Sequence, residues 1–140
     1  MDNFYCTARR MWNDVNVLHS SGISYFNTCY LAGYILECYG KILVLTYDST
    51  SNVRSYSHSL TRLNGKVTSD IIITPTLSKY CLDLSSQCNT IYSGTHEWNP
   101  LKRYEDDPNL WCSKEIADNY INESKKIIEM LDEMKLDGVI

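Results

Sequence analysis

YFNTCYLAGYILECYGKILVLTY, residues Tyr25 to Tyr47, is the longest mainly apolar stretch of the chain and contains no proline. Glu37 and Lys41 are its only charged residues. Phe26, Tyr30, Leu31, Tyr34, Ile35, Cys38, Ile42 and Leu45 recur at spacings of three and four, the period of a helix buried on more than one side. A glycine inside a helix costs roughly 0.5–1 kcal/mol relative to alanine. Gly33 and Gly40, with Ala32 beside them, therefore point to packing that outweighs local propensity, with another backbone approaching closely. At about 1.5 Å per residue the helix runs ~35 Å, enough to cross a small domain. It is also long enough for a bilayer, but the two charges, Asn27 and several tyrosines favour a core helix of a soluble domain.

The rest of the chain is read around this helix as one domain, residues 1–140, large enough for a single core. A net charge of −4 excludes a strongly basic nucleic-acid coat protein and leaves room for a local basic patch. The opening MDNFYCTARRMWND has no basic segment followed by an apolar run, so a cytoplasmic location is expected. Six cysteines, at 6, 29, 38, 81, 88 and 112, include no Cys-x-x-Cys pair. Reduced thiols with no metal are the expectation, and Cys81 and Cys88, seven apart, would share one helix face.

Asp2 or Asn3 can cap a first helix reaching Ser20, with Phe4, Ala8, Met11, Trp12, Val15 and Leu18 inward. Ser20-Ser21-Gly22 turns it into the central helix, and so short a connection implies an antiparallel hairpin. DSTSN, residues 48–52, is a loop. A third helix is expected from Ser55 to Val67 on Tyr56, Leu60, Leu63 and Val67, with His58 and Arg62 on one face. SDIIITPT, residues 69–76, reads as an apolar loop. A fourth helix, capped by Thr76, is expected from Leu77 to Tyr92. Gly94, Pro100 and Pro108 break residues 93–111, yet Trp98 and Trp111 imply that this loop is packed down. Ser113 caps a last helix whose inner stripe is Ile116, Tyr120, Ile127, Leu131 and Met134. The sum is an all-α, up-and-down bundle of about five helices.

Three segments carry a family resemblance. Leu31-Ala32-Gly33-Tyr34-Ile35-Leu36-Glu37-Cys38 resembles the Leu-Ala-Gly-Tyr-Ala-Leu-Glu-Cys signature of one branch of HEPN domains (higher eukaryotes and prokaryotes nucleotide-binding). Ser57-His58-Ser59-Leu60-Thr61-Arg62-Leu63 resembles that branch's Gly-His-Asp-Leu-x-x-Leu, and Trp98 to Tyr104 resembles its Trp-x-x-x-x-Arg-Tyr. The likeness spans about residues 23–136. It implies a helical bundle that acts as a homodimer or binds a partner protein, such as a nucleotidyltransferase or another defence protein. Such domains occur in ribonuclease toxins, toxin–antitoxin pairs and antiviral systems.

Catalytic members of the family carry Arg-x4–6-His, in which arginine stabilises phosphate charge and histidine moves protons. Arg103 is followed by YEDDPNLW, without a histidine in that window. Arg54 lies four before His58, but at the wrong helix. The first expectation is therefore a non-catalytic interaction or regulatory subunit of a prokaryotic defence or toxin–antitoxin system. The alternatives are a divergent metal-independent ribonuclease using Arg103, His58 and Tyr104, and a nucleotide- or RNA-binding sensor without turnover. No cofactor and no membrane are expected. Alignment with the family places Glu37 against Arg103 as a buried ion pair docking the loop. Trp98, Tyr104 and Trp111 are candidate base-stacking residues and Arg62 a further binding candidate. His19 and His96 are expected to face solvent. Glu105-Asp106-Asp107 reads as a solvated acidic run.

Overall fold

A computed structural model describes residues 3–140. It holds six α-helices, several short 3-10 turns and no strand among the described residues. Helix α1 (Phe4–Ser21) begins at Asn3, whose side chain accepts a hydrogen bond from the Cys6 amide. Asp2, the other candidate cap, lies outside the described residues. Gly22 closes α1 in the left-handed conformation, φ 65°. Ser24 then caps α2 (Tyr25–Tyr47) by accepting from the Asn27 amide. The long helix α6 (Lys114–Leu136), capped by Ser113, completes a three-helix frame with α1 and α2.

The core sits on α2, where fourteen of the 23 residues are buried. It is the one described helix long and apolar enough to cross a membrane, and 78% of its most apolar window is covered by the rest of the fold. Ala8 and Val15 of α1, with Ala117, Tyr120, Ile127, Leu131 and Met134 of α6, close over it. Side chains fill the space beside the glycines: an indole, Trp98, seats on Gly33, and Leu63, with its Cβ nearest, seats on Gly40.

The middle of the chain is more broken than its periodicity suggests. A 3-10 turn (Val53–Tyr56) ends at Ser57, and α3 (Leu60–Lys66) starts afresh with Ser59 as its cap. The same helix then widens into a π-helical turn over Val67–Ile71, so part of the expected apolar loop is helical. The expected fourth helix is replaced by a 3-10 turn (Ser78–Tyr80), an extended step, and two single-turn helices, α4 (Leu84–Gln87) and α5 (Asn89–Tyr92). Distant side chains make that path possible. The Tyr39 hydroxyl donates to the Tyr80 carbonyl at 2.6 Å and accepts from the Leu82 amide at 2.7 Å. Asn64 Oδ1 accepts from the Leu84 amide, and Glu123 Oε1 accepts from the Ile91 amide. With their backbone groups satisfied from outside, residues 80–91 need no continuous helix. Cys81 and Cys88 consequently do not share a helix face.

All six cysteines are free thiols, with Cys29, Cys38 and Cys88 buried and Cys6 and Cys112 exposed. Burial pushes each of the three buried thiols up to about 12.

Candidate functional site

One stripe of α2 carries Tyr30, Tyr34, Glu37 and Lys41 at helical spacing. Glu37 and Lys41 are only 6% and 7% exposed. Lys41 Nζ donates to Glu37 Oε1 at 2.7 Å, and His58 Nδ1 lies 2.8 Å from Glu37 Oε2. The carboxylate thus has one oxygen on a buried ammonium and the other on an imidazole. A carboxylate on Nδ1 fixes the proton there and leaves Nε2 as the free ring nitrogen. The His58 side chain is 54% exposed, so the ring is anchored on one edge and open on the other.

Arg103 does not pair with Glu37. The tyrosines of α2 stand between them: Arg103 Nη1 donates to the Tyr30 hydroxyl at 2.7 Å, and Tyr30 and Tyr34 hydroxyls are 3.1 Å apart. The guanidinium lies 4.7 Å from the Tyr104 ring centroid and 5.7 Å from that of Tyr30. The expectation fails because Lys41, one helical turn from Glu37, already neutralises that carboxylate. Burial resists ionisation of Tyr30, but hydrogen bonds with Tyr34 and Arg103 and the Arg103 charge outweigh it and bring the phenol below its ordinary range. Tyr34 goes the other way, raised by burial, by its hydrogen bond to Tyr30 and by the Tyr30 and Glu37 charges.

Tyr30, Tyr34, His58, Arg103 and Tyr104 line one hollow of about 130 Å³, with Pro100 and Leu101 as its far wall. The wall belongs to the 3-10 turn Pro100–Tyr104, which begins at Asn99. Its position is set by Trp98, whose Nε1 donates to the Tyr30 carbonyl at 2.9 Å and whose ring meets Tyr34 edge-on at 4.9 Å. Chemically the hollow offers a fixed cation, a held imidazole with a free nitrogen, and three phenols. That set suits an anionic oxygen cluster such as a phosphate.

Several candidate residues lie elsewhere. Trp98 and Trp111 are 6% and 0% exposed and cannot take a base between them. Trp111 is held among Phe26 and Tyr120, and its Nε1 donates to the His96 carbonyl. Tyr104, 73% exposed, is the aromatic left open. Arg62 turns to the Ser55 carbonyl and the Tyr56 ring, away from the hollow. His19 pairs with Asp118 instead of facing solvent freely, and His96 is half-buried. Among the described residues no group of three His, Cys, Asp or Glu is placed to hold a metal ion. Tyr30, Tyr34 and Lys41 were not among the sequence candidates, although their spacing from Glu37 put all four on one helix face.

His58 is aimed by an unusual residue before it. Ser57 has φ 50° and ψ −123°, a conformation that favours glycine. Such a conformation costs a non-glycine residue roughly 1–3 kcal/mol. Glycine would return part of that through greater freedom of the unfolded chain. Ser57→Gly is therefore expected to raise stability by about 1 kcal/mol. Urea melts measure it, and an unchanged or lower midpoint would contradict the strain.

No family model, curated protein or solved structure matches this chain.

Proposed function

We propose that the chain is a HEPN-like domain whose hollow on α2 binds an RNA phosphodiester and has the groups to cleave it. The observation that carries this reading is that Arg103 and the Glu37-held His58 line the same small hollow. In the cleavage step the RNA 2′-hydroxyl gives its proton to His58 Nε2 and its oxygen attacks the adjacent phosphorus. The bond from phosphorus to the 5′-oxygen breaks, leaving a 2′,3′-cyclic phosphate. The departing oxygen takes a proton from the Tyr30 hydroxyl, the phenol acidified by Arg103. Arg103 stabilises the charge that builds on the phosphate oxygens. The likeness at Ser57 supports the family reading, because the family's glycine stands where this backbone takes a positive φ.

The test uses a labelled single-stranded RNA with the protein, Arg103→Ala and His58→Ala. Cleavage is expected from the parent protein and to fall by about 10²-fold or more in each variant. Absence of cleavage with retained binding that depends on Arg103 would reject turnover. It would support the second reading, a binding or regulatory subunit in a prokaryotic defence or toxin–antitoxin assembly, working as a homodimer or with a nucleotidyltransferase or another defence protein. That reading is favoured by the spacing: Arg103 and His58 come from separate turns and not from Arg-x4–6-His. Absence of Arg103-dependent binding would overturn both.

A further inference from the structure

His58, Pro100 and Leu101 line a second hollow besides the one that holds Arg103. It measures about 400 Å³, roughly three times the first, and falls within the range of small-ligand sites. The two share the imidazole and the Pro100–Leu101 wall. A group bound in the smaller is therefore directly followed by whatever occupies the larger.

The linings differ in chemistry. The smaller hollow has the guanidinium. The larger is lined by Glu97, Asn99, Ser57, Ser59 and Thr61, together with Tyr92, Pro100 and Leu101. Asn99 Oδ1 already accepts from the Leu101 amide, so Nδ2 is left to donate. Among the described residues the Glu97 carboxylate makes no hydrogen bond or ion pair, although the Glu97 carbonyl accepts from Lys102 Nζ. An unpaired carboxylate excludes a second phosphate by repulsion and asks for two adjacent donors.

We infer that the larger hollow is a nucleobase subsite with preference for guanine, adjoining the phosphate position. Guanine's Watson–Crick edge presents N1–H and N2–H₂ side by side, which one carboxylate accepts together. Its O6 stands next to them as an acceptor for Asn99 Nδ2. Adenine and cytosine each present one amino donor beside an unprotonated ring nitrogen, and uracil a single N–H between two carbonyls. Those edges set an acceptor against Glu97. The flat apolar wall of Pro100 and Leu101 receives the base plane. The inference rests on the phosphate reading of the smaller hollow and adds the identity of the attached base.

The test is calorimetric titration with GMP, AMP, UMP and ribose 5-phosphate at one ionic strength. GMP is expected to bind about tenfold or more tightly than ribose 5-phosphate, with AMP and UMP close to ribose 5-phosphate. Glu97→Gln and Asn99→Ser, both at exposed positions and the second keeping a side-chain oxygen to cap the Pro100–Tyr104 turn, should each bring GMP down toward that level and leave ribose 5-phosphate unchanged. Arg103→Ala should weaken all four. Equal binding of the four compounds, or preference for another base, overturns the guanine subsite and leaves the phosphate site standing. GMP preference untouched by both variants overturns the assignment to this hollow. No binding of any of the four overturns the subsite together with the phosphate reading beneath it.

Discussion

Gly33→Ala is expected to lose roughly 3 kcal/mol of stability, the upper end of ordinary overpacking. Helix propensity alone predicts the opposite, a gain of up to ~1 kcal/mol. The difference is the indole of Trp98. A Cβ built on Gly33 would fall 2.1 Å from Trp98 Cγ and 2.2 Å from two further ring atoms. The ring is rigid and has little freedom to withdraw. Its Nε1 is bound to the Tyr30 carbonyl, its own amide to the Ile91 carbonyl at 2.7 Å, and its ring meets Tyr34 edge-on. One methyl group therefore has to lift Trp98 from α2, and the Pro100–Tyr104 turn follows directly after it in the chain. The variant should melt at lower urea and lose Arg103-dependent ligand binding together. A variant as stable as the parent, or more so, would show that Trp98 does not seat on Gly33.

Glu37→Gln is expected to cost about 3–5 kcal/mol, because it leaves the Lys41 ammonium buried without its counter-charge. Lys41 Nζ has its ion pair with Glu37, and the two side chains are 9% and 8% exposed. Lys41→Met alone should be of similar cost, with the carboxylate left to His58. Glu37→Gln with Lys41→Met removes both charges and should recover a large part of the loss, which a double-mutant cycle in urea measures as coupling. Additive losses would refute the buried pair. Arg103→Met is the useful contrast: its guanidinium is exposed, so its removal should leave stability within about 0.5 kcal/mol while abolishing ligand binding.

The long helices were legible because their signals are local. Asn3, Ser24 and Ser113 cap them as the residue types demand, and the apolar stripes of α1, α2 and α6 face the core. Between residues 53 and 92 only α3, with Leu60, Leu63 and Val67 buried, was legible, because what breaks the path beyond it comes from afar. The Tyr39 hydroxyl and the Asn64 amide satisfy backbone groups 20 to 43 residues on, and no short window of sequence contains both partners. The site was legible as a set of residues and not as a set of pairs. His58, Arg103 and Tyr104 do meet in one hollow. Glu37 was given the wrong cation, since an arginine brought near by alignment competes poorly with a lysine fixed one turn away on the same helix. The tryptophans were read correctly as loop anchors and wrongly as stacking surfaces, because the same burial that anchors them removes their faces from solvent.

Glu37 faces two ways, inward to Lys41 and outward to His58. A lineage that gave up the chemistry of the hollow would still need the carboxylate to fold. Persistence of Glu37 and Lys41 in descendants is thus a record of folding, not of activity. Arg103 and Tyr104 are under no such double obligation, so drift at those two positions is where a lost function would first become visible.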